Sequence, residues 1–392
     1  MWQHTRLTDR HPQSFWAPRP RSKSILVPFL WIACGVTLAA AIYLRWNREM
    51  YSRNMDKYSP LDLDDMERKR FQVYTRGLER AQVIQIAQND PDIDELVSFD
   101  PKHKFFYARH EGLLRKHQNS ETVYDLGELY RRFMIDNRKL IKIATWADSI
   151  TWHARPTLAK TRHRDAQSLQ KPYCGLLRLR SRMHFAPIRN DPIPFEKKKN
   201  IVLWRGGPSG PGFENEYCPE LMKPSREECL RRWCLNRATQ GEIDVGLTKK
   251  WRYQKYKTYL KKEMKISEMM EYKYLLSIEG NDVATNLKWA MASNSLVLMP
   301  KPRVESWFAE SLLEPYVHYV PVKDDFSDLL NQKLWCDQHP QKCKKIIKNA
   351  QAFVQPFRNE ERDYYLSFRV LQYYMSKVEI EILDEKKIPK DK

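Results

Sequence analysis

Between residues 272 and 322 the chain alternates runs that are apolar at every position with short stretches of helical character, and this pattern restricts the fold more than any other feature. Residues 274–278, 295–299 and 318–322 read as strands. Residues 279–282 read as a turn, 283–292 as a helix capped by Asn281 or Asp282, and 306–313 as a second helix after the proline-rich loop 300–302. A strand with one wet face alternates apolar and polar residues. One that is apolar throughout is buried on both faces, as in a parallel sheet covered by helices. This segment is therefore expected to be α/β and Rossmann-like.

Other strands are expected at 104–114, at 140–147, ending on Asp148, and at 200–204, which runs straight into Arg205-Gly206-Gly207-Pro208-Ser209-Gly210. An amphipathic helix is expected at 122–137, and a polar stem leading into a packing helix at 58–89. The charged run 196–199 is a plausible hinge. The acidic runs 62–65 and 90–94 superficially resemble a metal-binding DxD signature. Both stand where helix starts are expected, and acidic side chains favour the positive end of a helix dipole.

The net charge of +19 admits nucleic acid, anionic lipid or phosphate-bearing substrates as partners. Residues 25–44 carry no charge, and their length suits a crossing of a ~30 Å hydrocarbon core. Arg6, Arg10, Arg19, Arg21 and Lys23 precede this run against Asp9, which favours a cytoplasmic N-terminus and a lumenal or periplasmic body. A cleaved signal peptide is the alternative. Of seven cysteines, six follow that run. Cys336 and Cys343 are close enough in sequence to pair, and free buried thiols are equally compatible. No zinc spacing is present, so no metal site is expected.

In an open parallel sheet, ligands bind beyond the carboxyl ends of strands, where backbone N–H groups meet anions. Two loops fit that position. Arg205, Gly206 and Gly207 set a fixed cation beside glycines that admit a diphosphate. Glu279, Gly280 and Asn281 follow a buried strand, with Glu279 suited to accept from ribose hydroxyls. Behind them Thr285 and Asn286 precede Lys288, whose place in an apolar stretch calls for an anionic partner or a snorkelling stem. Arg226, on a helix after the first loop, could add charge, and Asp148 could serve as a general base toward a hydroxyl.

Taken together, YKYLLSIEGNDVATNLKWAMASNSLVLMPKPRVESWFAESLLEPYVHYVPVKDDFSDL at 272–329, VLWRGG at 202–207 and WADSITWHARPTLAKTR at 146–162 resemble glycosyltransferase family 90. The first block is closest to the lipopolysaccharide branch of that family. The resemblance runs from about residue 100 to 380. It implies a GT-B fold of two Rossmann-like domains facing a central cleft, an inverting displacement and a nucleotide-diphosphate sugar donor, usually a UDP-sugar, without a required metal or other cofactor. It makes Asp148 the base, gives diphosphate contacts to Arg205 and its glycine neighbours, and gives nucleotide contacts to Glu279–Asn281. The basic position of the following helix falls on Lys288. Eukaryotic members carry arginine there and a serine-arginine pair at Gly207-Pro208, and the insertion 208–223 loosens the alignment of Arg226.

On this reading the chain comprises a basic cytoplasmic tail (1–24), a transmembrane anchor (25–44), a stem and helix (45–98), an acceptor-side domain (99–200) and a nucleotide-sugar-binding domain (201–339). Helices packing back across both (340–380) and a charged tail (381–392) complete it. The expected partners are a nucleotide-sugar donor, a glycan or glycoprotein acceptor and the membrane, not nucleic acid. The expected setting is a type II protein of the Golgi or endoplasmic reticulum, or of a bacterial inner membrane. A non-catalytic sugar or nucleotide-sugar binder is the rival reading.

Overall fold

The computed structural model describes residues 63–78, 82–87, 90, 96–99, 106–108, 121–133, 140–144, 155–164, 174–185, 190–210, 226–236, 239, 241–248 and 254–383. The chain divides into two units, Met1–Lys57 and Tyr58–Lys392. The first, with the apolar run 25–44, lies outside the described residues, and so does Asp148. No helix among the described residues is long and apolar enough to cross a membrane.

Strands β1 (Gln82–Ala87), β2 (Leu96–Phe99), β3 (Phe106–Ala108), β4 (Leu140–Ala144), β5 (Thr157–Ala159), β6 (Thr161–His163) and β7 (Cys174–Leu176) precede residue 190. After it come β8 (Lys199–Gly206), β9 (Ile243–Leu247), β10 (Tyr272–Leu276), β11 (Leu296–Met299), β12 (Val304–Ser306), β13 (Val320–Pro321) and β14 (Val378–Leu383). One sheet has the order β3-β2-β4-β5-β7, with β4, β5 and β7 parallel and β2 antiparallel to both its neighbours. The other has the order β13-β11-β10-β8-β9 and is parallel throughout, as the unbroken apolar runs require.

Each strand of the parallel sheet sends alternate residues to opposite faces. Leu203, Leu275 and Val297 join a core shared with Ile141, Ile143 and Leu158 of the mixed sheet. Val202, Trp204, Tyr274 and Leu298 join a second core with Cys229, Leu230, Cys336, Cys343 and Ile346. Cys336 and Cys343 are free thiols, the Cys343 Sγ lying 3.8 Å from the Cys336 carbonyl oxygen.

Several local expectations change. Residues 58–89 hold the helix Asp65–Thr75 and then β1, where Ile84 and Ile86 are buried between exposed Val83 and Gln85. That period of two belongs to a strand, and β1 pairs in parallel with β14. The acidic run 62–65 does start a helix: Asp64 Oδ1 accepts from Glu67 N at 2.7 Å and Glu67 answers from Asp64 N at 3.1 Å. The helix expected at 283–292 begins only at Leu287, and the Asn286 side-chain amide before it donates to Leu276 O at 3.0 Å. Residues 306–313 form the end of β12 and a single 3-10 turn, Glu310–Leu312. There the Glu310 carboxylate folds back onto Ser306 N and Oγ, and Ala309 takes a left-handed φ of 54°.

Two features tie the mixed sheet to the parallel one. β6 pairs antiparallel with β12, and the long helix Glu360–Lys377 returns to the mixed sheet, where Tyr374 Oη meets Lys142 N at 3.2 Å and donates to Pro156 O at 2.9 Å. Asp363 on that helix forms a buried ion pair with Arg70, whose guanidinium stacks 3.9 Å from the Phe357 ring centre. Asp363→Ala strands the Arg70 charge in the core, so it is expected to destabilise the protein by about 3–5 kcal/mol. Urea unfolding monitored by tryptophan fluorescence measures this, and a loss under about 1 kcal/mol contradicts it.

Candidate active site

The strand order of the parallel sheet reverses between β8 and β10. From β8 the chain moves outward to β9, and from β10 it moves the other way to β11. The helix Arg226–Cys229 and the π-turn Leu230–Cys234 that follow β8 pack on the Trp204 face, whereas the helix Leu287–Ala292 after β10 packs on the Leu275 face. Loops bound for opposite faces diverge, and such a point, beyond the carboxyl ends of the strands, is where open parallel sheets bind their ligands.

Arg226 bridges the two loops at this point. Its Nη1 donates to Ser209 Oγ at 2.5 Å and Gly207 O at 3.2 Å, and its Nη2 donates to Ile278 O at 3.0 Å. One side chain thus joins the loop after β8 to the loop after β10. Its Nε is buried with no hydrogen-bond partner in the described structure, and burial pulls its pKa down to about 10 against the opposing field of Asp282 and Glu279. Among the described residues this guanidinium is held by carbonyls and a hydroxyl, with no carboxylate in contact.

The two loops also meet through backbone. Gly210 N donates to Asn281 Oδ1 at 2.8 Å. A Cβ on Gly280 would lie 2.8 Å from both Arg226 Nη2 and Ser209 Oγ, and one on Gly210, whose φ is +100°, would lie 2.9 Å from Gly280 O. Glycine is needed at both for close approach. Gly206 is needed for packing instead, since a Cβ there meets the Trp204 ring at 2.5 Å, while Gly207 has open space.

Of the residues singled out in the sequence, Gly206, Gly207, Arg226, Gly280 and Asn281 gather here. Arg205 does not join them through its charged end: its Nη2 pairs with Asp244 at 2.7 Å and its Nε with Lys262 O at 3.3 Å, on the β9 side. Asp244 is held low, because its partners Arg205 and Lys261 outweigh its burial. Lys288 finds the anionic partner its apolar setting called for within the chain. It is fully buried and pairs with Glu310 at 3.2 Å, 5.0 Å from the Phe308 ring centre, and burial lowers its pKa. Thr285 is exposed, and Asn286 is spent on Leu276 O and Ser277 Oγ.

Glu279 turns inward. Its Oε1 accepts from Arg303 N at 3.0 Å and Val304 N at 3.1 Å, capping the segment after β11. A cavity of about 20 Å³, room for one water, lies between Ser277, Glu279, Met299 and Glu310. Burial pushes the Glu279 carboxyl up to about 8, despite those two N–H groups.

Sequence reasoning missed the residues that support these loops. Lys160, from the turn between β5 and β6, forms a nearly buried ion pair with Asp282, and Arg162 holds buried Glu305 at 2.8 Å. His184 is buried beside Trp307, its pKa driven well down by burial and by the Lys288 and Lys160 charges. Lys160 and Arg162 sit inside the 146–162 block, so the block was visible even though their partners were not.

The geometry describes an α/β protein whose parallel sheet places a guanidinium across the two loops at its switch point. Residues 178–388 match the model of Glycosyl transferase family 90. The O-glucosyltransferase LpsA of Dichelobacter nodosus is 34% identical over 260 residues, covering 66% of this chain and 74% of that protein. Protein O-glucosyltransferase 3 of Homo sapiens is 31% identical over 180 residues, 45% of this chain and 35% of that protein, and protein O-glucosyltransferase 2 of Danio rerio is 29% identical over 163 residues, 41% and 29% respectively. The chain belongs to glycosyl transferase family 90 and is a glycosyltransferase.

Glu279 gives the fold a pH signature. Below its ordinary value of 4.5 the carboxyl is protonated in both states, and between that value and about 8 only the unfolded chain ionises. Its contribution to stability is therefore complete below about pH 4.5 and is lost as pH rises toward 8. Glu279→Gln should flatten this decline; equal pH slopes in the variant and the parent, by urea unfolding from about pH 5 to about pH 8, would refute it.

Proposed function

We propose that the switch point between β8 and β10 binds the diphosphate of a UDP-sugar and that the enzyme transfers the sugar, glucose or xylose, with inversion to a hydroxyl of a glycan, a lipopolysaccharide-like chain or a protein. The observation that carries this reading is Arg226, a guanidinium fixed by three oxygens at the meeting of two glycine loops with no carboxylate against it among the described residues. The glucosyltransferase names of the relatives support the donor class. On this reading the arrangement is of GT-B type, with an acceptor-side half at 99–200 and a donor-side half at 201–339.

In the proposed reaction Asp148 takes the proton of the acceptor hydroxyl. The oxygen attacks the anomeric carbon, and the bond to the diphosphate breaks with its electron pair remaining on the leaving group. Arg226 receives that charge where it develops, so no metal is part of the proposal. Arg205 and Lys288 serve the loops from behind, since each already has a carboxylate partner. The run 25–44 would anchor the enzyme as a type II protein with its catalytic part in the Golgi or endoplasmic reticulum lumen, or in the periplasm.

Two substitutions test the assignment. Asp148→Asn should lower transfer about 10²–10⁴-fold while UDP binding persists. A folded Asp148→Asn protein with full activity would exclude the base. Arg226→Lys removes the forked contact and should weaken UDP binding on the order of 10–100-fold by calorimetry; unchanged affinity would remove Arg226 from the diphosphate site.

A further inference from the structure

The contacts between the mixed and parallel sheets are concentrated on one segment. β12 pairs with β6, Arg162 holds Glu305, Arg164 N and Nη1 donate to Arg303 O and Pro302 O at 2.8 and 3.0 Å, and Trp307 Nε1 donates to Leu179 O at 3.0 Å. All of these end on residues 302–307. Lys160 reaches further. It stands directly after β5, and its ammonium pairs with Asp282 in the loop that leaves β10, both side chains being nine-tenths buried.

Asp282 is bound into that loop, its carbonyl accepting from Gly280 N at 2.9 Å, and Gly280 is the residue packed against Arg226 and Ser209. The chain of contacts therefore runs from β5 through Lys160 and Asp282 to the glycine that lies on the guanidinium. The proposed base, Asp148, belongs to the segment that leads into β5.

We propose that Lys160 is a positioning residue for transfer: its ion pair with Asp282 fixes the loop at 278–282 relative to the acceptor-side sheet, and so sets how the bound donor is presented to the acceptor. This rests on the donor and base assignments made above. Neither Lys160 nor Asp282 touches the donor in this scheme. Their effect falls on alignment, where a displacement of about 1 Å costs on the order of a hundredfold in rate.

The test removes both charges together, so that neither stays buried after losing this partner. The Lys160→Gln/Asp282→Asn protein is expected to bind UDP within about threefold of the parent by calorimetry. Its transfer kcat should fall on the order of 10–100-fold with little change in donor KM, and the amides of residues 278–284 should exchange faster. Lys160→Arg, which keeps the charge and the reach, should recover most of kcat and of the exchange protection. A double variant with parental kcat and parental exchange at 278–284 overturns the proposal, as does a uniform rise in exchange across both sheets, which marks general destabilisation. Should the parent transfer no sugar from any UDP-sugar, the donor reading fails by itself. The exchange comparison, made without ligand, then decides the tether: faster exchange confined to 278–284 supports it and unchanged exchange sinks it.

Discussion

A parallel sheet with two apolar faces needs helices on both, and a single chain can supply them only by changing direction once across the sheet. That reversal, between β8 and β10, governs the rest of the site. The loop leaving β8 turns toward the Trp204 face and the loop leaving β10 toward the Leu275 face, so neither can fill the space between them. What fills it is a side chain long enough to touch both, and Arg226 holds the carbonyls of Gly207 and Ile278 at once. The glycines follow from the same cause. Two strand ends about 4.8 Å apart leave little room for Cβ atoms between their loops, and at Gly210 and Gly280 there is none.

Charge is distributed by the same logic. A buried ion without a partner is expensive, so the fold neutralises its interior cations with carboxylates from elsewhere in the chain: Arg70 with Asp363, Lys288 with Glu310, Lys198 with Asp191, Arg205 with Asp244. Against that background the surroundings of Arg226 differ in kind. Among the described residues the carboxylates that act on it, Asp282 and Glu279, do so through space, and each is held by another group: Asp282 by Lys160, Glu279 by the main chain at 303 and 304. The bulk charge of +19 carries little of this information, since what matters is which cation lacks a contact carboxylate.

The sheet was legible in the sequence because burial on both faces leaves an unmistakable run of apolar residues. Strands β8, β10 and β11 fall where those runs stand. The loops at 206–210 and 279–281 were legible too, being glycine-rich and placed after buried strands. What stayed hidden depends on partners distant in sequence. Nothing near Lys288 announces Glu310, and nothing near Arg205 announces Asp244, so both lysine and arginine looked available for a ligand. The helix expected at 283–292 lacks its first turn, and the bond from the Asn286 side chain back to β10 leaves no periodic trace in the sequence. Ile84 and Ile86 fit a helix in isolation and become strand residues only because β14, nearly 300 positions away, is there to pair with them.

The segment after β11 shows why such distant pairs matter for more than stability. β12 is a three-residue strand, too short to fix the register of two sheets through its ladder alone. Glu305 and Glu310 flank Trp307, and each is committed to a cation from a different element: Glu305 to Arg162 of β6, Glu310 to Lys288 of the helix behind the parallel sheet. A buried ion pair adds little net stability over an apolar pair of the same shape, but any sliding that separates its members leaves charges stranded. Two such pairs around one indole, itself bonded to Leu179 O, penalise every neighbouring register. The carboxylate of Glu279 caps the start of the same segment, so the loop at the switch point and the ribbon that joins the sheets share one support.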